Sequence, residues 1–202
     1  MRKIEKRSIF CLILAALLGL GLAFFCFQFV VDGGDWASYP YNRHLYNNAG
    51  QLKGGTILDR DGDMLSTLDE DGNRIYNDDA TVRRATLHAV GDKNGNIGAG
   101  ALTSFADKLS GYNLLTGVYS PLGTGNSLYL TIDAYLNNVA YQALNGMNGT
   151  VGVYNYKTGE ILCMVSTPTF DPANPPDIAA DDPAWDGVYV NRLLSANSIP
   201  GS

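Results

Sequence analysis

At 202 residues the chain has room for one or two small domains, and 46% hydrophobic against 17% charged residues is the balance of a packed protein, not a disordered one. The net charge of −6 is divided unevenly: Arg2, Lys3, Lys6 and Arg7 against Glu5 give the first seven residues +3, leaving −9 on the remainder. An acidic body with no basic stripe excludes nucleic acid as a partner, because phosphate binding needs clustered Lys and Arg.

Residues 1–7 read as a short basic tail. From Ile9 to Val31, Gln28 is the one strongly polar side chain in 23 residues. As a helix at about 1.5 Å per residue this stretch is roughly 35 Å long, enough to cross a hydrocarbon core of about 30 Å with some tilt. Positive charge precedes it and Asp32 and Asp35 follow it, so the positive-inside rule puts the N-terminus in the cytoplasm and the bulk of the chain outside the cell membrane. The competing reading is a cleaved signal peptide. The apolar run is longer than the usual signal core and no small-x-small cleavage site follows it, which favours an uncleaved anchor over residues 8–31. Cys11 and Cys26 lie within this run and Cys163 stands alone beyond it, so no intrachain disulfide is expected in the extracellular part.

Residues 32–53, with Gly33, Gly34, Pro40 and several Asn and Tyr, read as a linker. Short strands follow. Thr56-Ile57-Leu58 and Met64-Leu65 flank Asp61-Gly62, a hairpin signal, and Asp71-Gly72 before Arg74-Ile75-Tyr76 suggests a second hairpin. Residues 91–100 are rich in Gly and Asn and read as loop. Leu102 to Leu109 has the spacing of a short helix with Leu102, Phe105, Ala106 and Leu109 on one face, and residues 110–127 return to loop. Leu128 to Ile132 alternates like a strand. Residues 133–145 read as a helix with Asp133 as N-cap, an apolar face of Leu136, Val139, Ala140, Ala143 and Leu144, and Gly146 at its end. Val151 to Tyr156 and Glu160 to Ser166 form two strands about Lys157-Thr158-Gly159. Residues 168–187 hold five of the eight prolines and read as a long irregular loop. Asn191-Arg192-Leu193-Leu194 begins another element before Pro200-Gly201-Ser202.

In this order and spacing, Leu130-Thr131-Ile132-Asp133, the helix after it, the hairpin with Thr158-Gly159-Glu160-Ile161-Leu162, the run Ser166-Thr167-Pro168-Thr169-Phe170-Asp171-Pro172, then Asn191-Arg192 and Pro200-Gly201-Ser202, resemble the opening of a penicillin-binding transpeptidase domain. Tyr41-Asn42-Arg43 and Gly55-Thr56-Ile57-Leu58-Asp59-Arg60-Asp61-Gly62 resemble the start of the extracellular pedestal of that family. With the anchor in front, the layout is similar to that of a class B penicillin-binding protein of the penicillin-binding protein A kind. The fold class expected is therefore α+β: a transmembrane helix, a mostly β pedestal with its linker over residues 32–126, and the first part of an α+β transpeptidase domain over residues 127–202.

The resemblance implies a serine-type D,D-transpeptidase that cross-links peptidoglycan at the D-Ala-D-Ala end of a stem peptide, is acylated by β-lactams, and needs no cofactor. It makes Ser202 the nucleophile. Such enzymes draw the serine proton onto a lysine three residues later, one helical turn away on the same face, and stabilise the oxyanion with backbone N–H groups. That lysine would fall beyond Ser202. None of the six lysines, at 3, 6, 53, 93, 108 and 157, has a serine three residues before it, so these 202 residues alone are expected to be inactive. Two strings imitate later motifs of the family, Ser195-Ala196-Asn197 and Lys157-Thr158-Gly159. Both precede Ser202, whereas the family places them after its nucleophile, and Lys157-Thr158-Gly159 is better read as a turn. The resemblance also suggests that the pedestal contacts a membrane-embedded glycan polymerase of the SEDS family. The alternative function is a non-catalytic anchored binding module for such a polymerase.

The remaining constellations have plainer readings. Asp59, Asp61, Asp63 and Glu70 miss the glycine that a calcium-binding EF-hand loop needs at its sixth position, where Met64 stands. His44 and His88 lack partners at zinc-ligand spacing. Gly98-Ala99-Gly100 reads as a turn, and Asn148-Gly149-Thr150 as an idle glycosylation sequon. Asn191 and Arg192 either brace the segment leading to Ser202 or cap a helix.

Overall fold

A computed structural model describes residues 2–37, 54–111, 125–179 and 181–195. The expectations for Tyr41-Asn42-Arg43, His44 and Pro200-Gly201-Ser202 lie outside the described residues, as does most of the loop expected over 110–127.

Helix α1 spans Arg2–Ala37. Within it, Lys6–Gly33 is long and apolar enough to cross a membrane, and its most apolar 18-residue window is not covered by the rest of the chain. Its large side chains, such as Leu12, Leu18 and Phe24, are exposed all round, as a lipid-facing helix requires.

Strands β1 (Thr56–Leu58), β2 (Met64–Leu68) and β3 (Arg74–Tyr76) pair antiparallel in sequence order. Both expected turns are present. Gly62 and Gly72 take φ of 93° and 80°, a backbone region that L side chains rarely enter. Asp59 organises the first turn, accepting the Asp61 and Asp63 N–H groups on Oδ1, each at 2.9 Å. Asp69 does the same in the second turn with Asp71 and Asn73. The four-stranded sheet has the order β3-β2-β1-β4, and β4 (Ser127–Tyr129) lies parallel to β1 with Ile57 opposite Leu128. The strand expected over 128–132 is shorter than its alternation suggests. Beyond Tyr129 the pairing continues only as single bonds, Leu130 N–H to Leu58 O at 2.9 Å and Arg60 N–H to Ile132 O at 3.0 Å.

Helix α2 (Ala80–Val90) was not anticipated. Asp79 caps it by accepting the Thr81 N–H at 2.7 Å, and Gly91 closes it with its N–H on Leu87 O at 2.7 Å. The helix expected over 102–109 is broken at Phe105 into α3 (Ala101–Ser104) and α4 (Ala106–Ser110). Leu102, Ala106 and Leu109 are buried as expected, while Phe105, whose backbone is not helical, is left partly exposed.

Helix α5 (Ala134–Leu144) begins at Asp133, whose side chain accepts the Leu136 N–H at 2.8 Å. The second carboxylate oxygen of Asp59 also reaches the start of α5, accepting the Ala134 N–H at 3.2 Å. The buried face differs from the one drawn from periodicity. Ala134, Asn137 and Ala140 face inward, whereas Val139 and Ala143 face solvent. Strands β5 (Gly149–Tyr154) and β6 (Ile161–Thr167) form an antiparallel hairpin. At its tip Lys157-Thr158-Gly159 is a turn, with the Gly159 N–H on Asn155 O at 2.7 Å. Among the described residues after β6, the chain is irregular except for a 3₁₀ turn at Pro183–Trp185 and the short helix α6 (Arg192–Ser195).

Three apolar clusters hold these elements. Ile57, Leu65, Val90, Leu102, Leu109 and Ile132 join the sheet to α2, α3, α4 and the start of α5. Leu87, Ile97, Phe170 and Val188 join α2 to the segment after β6. Ala140, Cys163 and Val165 lie where α5 packs on the hairpin. Helix α2 contributes to the first two clusters.

Candidate functional site

The described residues of the motifs that immediately precede Ser202 in sequence lie in the segment from Ser166 to Ser195. Asp171, in the run Ser166-Thr167-Pro168-Thr169-Phe170-Asp171-Pro172, receives Arg83 of α2 in a two-point ion pair. Arg83 Nε meets Oδ1 and a terminal guanidinium nitrogen meets Oδ2, both at 2.6 Å. The other terminal nitrogen of Arg83 donates to Asn77 O and Asp78 O, both at 2.8 Å. A guanidinium matches a carboxylate in this planar geometry, and such charge-assisted bonds are the strong ones. The pair holds the Asp171 carboxyl below the usual carboxylate range. Next to it, Thr169 Oγ1 donates to Arg84 O at 2.9 Å.

One turn further along α2, His88 is buried and its Nε2 lies 2.8 Å from Val188 O. A carbonyl can only accept, so Nε2 carries the proton. Burial lowers the imidazole pKa from its ordinary value, since the charged form would lose its water. Phe170 and Tyr189 meet edge to face beside it, their ring centroids 6.0 Å apart.

Asn191 and Arg192 both turn out to be structural anchors. Asn191 caps α6, its Oδ1 accepting the Leu193 N–H at 3.2 Å and its carbonyl accepting the N–H groups of Leu194 and Ser195. The same side chain donates Nδ2–H to His88 O at 3.3 Å. Arg192 ties α6 to the end of β6. Its backbone N–H meets Ser166 Oγ at 3.1 Å, its Nε meets Thr167 O at 2.9 Å, and a terminal nitrogen meets Asp186 O at 2.9 Å. Leu193 packs over Gly152 of β5, where a Cβ would come within 2.6 Å of it. Ser202 lies outside the described residues, seven positions beyond the last residue of α6. Of the two strings that imitate later motifs, Lys157-Thr158-Gly159 sits at the hairpin tip, and Ser195 ends α6 with Ala196 and Asn197 outside the described residues.

One further residue matters and was not visible in the sequence. Asn137 is fully buried and latches α5 to β6. Its Nδ2 donates to Asp133 O at 2.7 Å and Leu162 O at 3.3 Å, and its Oδ1 accepts the Met164 N–H at 3.0 Å. An apolar cleft of about 560 Å³ opens between α3, β4, β6 and α6, lined by residues that include Phe105, Leu130, Ile161, Met164 and Leu194. A smaller one of about 310 Å³ continues from Ile161 and Leu194 to Val153 and Tyr154. Among the described residues, no three His, Cys, Asp or Glu side chains gather in a way that could hold a metal ion. In the first hairpin the Asp59 carboxylate serves both the turn and the start of α5, and Asp61 and Asp63 enter the turn through their backbone N–H groups.

No family model matches the chain. Over 84 residues it is 48% identical to the peptidoglycan D,D-transpeptidase MrdA of Acinetobacter baumannii, a match covering 39% of this chain and 12% of that protein. Over 51 residues it is 41% identical to MrdA of Haemophilus influenzae, covering 25% of this chain and 8% of that protein. Its fold matches the crystal structure of PBPA from Mycobacterium tuberculosis with a TM-score of 0.53 at 20% identity, over 69% of this chain and 36% of that one. In sequence over those 84 residues and in fold, this chain resembles the class B penicillin-binding proteins. The mixed α+β fold with an apolar N-terminal helix, expected of such a relative, is present. The chain spans only a small part of the length of the curated relatives it matches.

Proposed function

We propose that this penicillin-binding-protein relative is the membrane-anchored front of a peptidoglycan D,D-transpeptidase. The observation that carries the proposal is the 48% identity to MrdA over 84 residues, in a chain whose motifs run in family order up to Pro200-Gly201-Ser202. In this reading Ser202 Oγ attacks the carbonyl carbon of the penultimate D-Ala of a stem peptide while a base takes its proton. The peptide C–N bond breaks and the terminal D-Ala leaves with a proton on its nitrogen. The amine of a second stem peptide then attacks the acyl ester, forms the cross-link and returns Oγ to its hydroxyl. A β-lactam enters the same first step, its ring C–N bond breaking in place of the peptide bond. The base expected by resemblance is a lysine three residues after Ser202, and residues 1–202 alone would then be inactive.

The proposal extends to location and partners. Residues 1–7 would form the cytoplasmic tail, 8–31 the membrane span, 32–126 the extracellular linker and pedestal, and 127–202 the start of the transpeptidase domain. The pedestal would face a SEDS-family glycan polymerase in the same membrane.

The test begins with the codons after Ser202. A lysine codon in third place, with Ser-x-Asn and Lys-Thr-Gly motifs later in the frame, is expected, and a stop codon there removes the enzyme reading. The protein expressed from its complete reading frame is then incubated with a fluorescent penicillin and the adduct is mapped by mass spectrometry. Label on Ser202, lost in Ser202→Ala, is the expected result. Label on another residue, or none on the folded protein, overturns the proposal.

A further inference from the structure

The end of α2 and the turn before α6 exchange two hydrogen bonds in opposite directions. His88 donates its Nε2–H to Val188 O at 2.8 Å, and Asn191 donates its Nδ2–H to His88 O at 3.3 Å. The last four carbonyls of a helix have no partner within it, so His88 O is free to accept Asn191, and one residue of α2 offers both a donor and an acceptor. Both side chains are almost completely buried, at 1% exposure each. Asn191 spends its remaining oxygen on the first turn of α6 through the Leu193 N–H. Its neighbour Arg192 fixes the same point to the end of β6 through Ser166 and Thr167. The place where the chain enters α6 is therefore set from two sides, by α2 and by β6.

We infer that this His88–Asn191 staple positions the serine site: Asn191 and His88 are positioning residues that set the start of the run carrying Ser202. The inference rests on the reading of Ser202 as the acylated serine. Neither residue touches a reacting atom. They act by fixing α6, and ten residues of chain connect Asn191 to the serine. Misplacement of a catalytic group by about 1 Å costs on the order of a hundredfold in rate, so a loosened anchor would show in acylation before it abolished folding.

The experiment uses the protein expressed from its complete reading frame, in detergent micelles, with a fluorescent penicillin as probe. The acylation rate per folded molecule is followed at a temperature well below each variant's melting point. Asn191→Ala is expected to acylate roughly 10- to 100-fold more slowly than the parent. His88→Gln keeps an N–H donor near the Nε2 position and is expected to acylate close to the parent rate, whereas His88→Leu, which removes the donor, is expected to behave like Asn191→Ala. A role in stability alone would lower the melting temperature and leave the rate per folded molecule unchanged. That result in Asn191→Ala overturns the inference, as does equal slowing by His88→Gln and His88→Leu. Should Asn191→Ala fail to fold, the two His88 variants decide. Ser202→Ala separates the two readings. Label that persists in it overturns both, whereas label lost in it alongside normal acylation of Asn191→Ala overturns the staple alone.

Discussion

Removing the Asn137 side chain tests how α5 is held to the hairpin. In Asn137→Ala, Leu162 O keeps the Asp133 N–H at 2.9 Å, and Asp133 O keeps the backbone N–H of residue 137 at 3.0 Å. The Met164 N–H, which meets Asn137 Oδ1 at 3.0 Å, is left with no acceptor from that side chain. An orphaned buried N–H costs about 1–3 kcal/mol and the vacated volume on the order of 1 kcal/mol more, so β6 should open roughly 30- to 1,000-fold more often. Amide hydrogen exchange followed by mass spectrometry in micelles reads this directly, in peptides covering Ile161–Thr167. Asn137→Asp sharpens the test. It keeps an acceptor for Met164 but sets a carboxylate against Asp133 O and Leu162 O, so it should be loosened at neutral pH and recover as acid protonates the carboxyl and restores a donor. Exchange in β6 unchanged by Asn137→Ala would refute the reasoning, and would mean that the apolar contacts of Ala140, Cys163 and Val165 hold the hairpin without the latch.

Arg83→Ala should destabilise the protein more than Asp171→Ala, because it loses the bonds to Asn77 O and Asp78 O as well as the ion pair; urea unfolding should place each loss at about 1–3 kcal/mol. The Asp171 carboxyl is held below its ordinary value, so its contribution is present above the unfolded pKa near 3.8 and is lost as pH falls through the folded value. His88 titrates in a higher window. Its folded pKa lies below 6.5, so the folded protein binds fewer protons, stability is fully present above that pH and declines as pH falls below it, and His88→Gln should remove this slope from melting curves. Gly100→Ala should cost about 1–3 kcal/mol, since its Cβ would come within 2.5 Å of the Gly91 backbone, whereas Gly98→Ala meets nothing within 4 Å and should leave the melting temperature unchanged.

What the sequence made legible follows from where the determining partners sit. The two Asp-Gly turns, the Asp133 cap and the Lys157-Thr158-Gly159 turn are set by residues within a few positions of one another, and all four are found where expected. Helix α2 was missed because Ala80–Val90 carries no clean apolar stripe. Arg83, Thr86 and His88 point at Asp171, Val82 O and Val188 O, so polar side chains occupy its covered faces. Asn137 was missed for the same reason. Its partners at Leu162 and Met164 are 25 and 27 residues away, and the periodicity rule filled that face with Val139 and Ala143 instead. The apolar spacing over 102–109 was right for burial and wrong for continuity, because Phe105 departs from helical geometry. For the site, the order of motifs named the family, but the reason for Asn191 and Arg192 lies in α2 and the end of β6.

The missed helix changes how the motifs relate to one another. The run from Ser166 to Asp171 and the pair Asn191-Arg192 are about twenty residues apart in sequence, yet both are fastened to α2, the first through Arg83 and Arg84 and the second through His88. Asp59, in the turn of the first hairpin, caps α5 through Ala134, and β1 pairs with β4 across the division expected at residue 126. The segment read as pedestal therefore supplies both the sheet partner for β4 and the splint for the chain that leads to Ser202. A perturbation of α2 from the pedestal side, at Ala89 or Val90, has a short physical route to α6 through two hydrogen bonds at His88. Coupling of this kind requires only that α2 keep its place against Val188 and Asn191, which the buried cluster of Leu87, Ile97, Phe170 and Val188 provides.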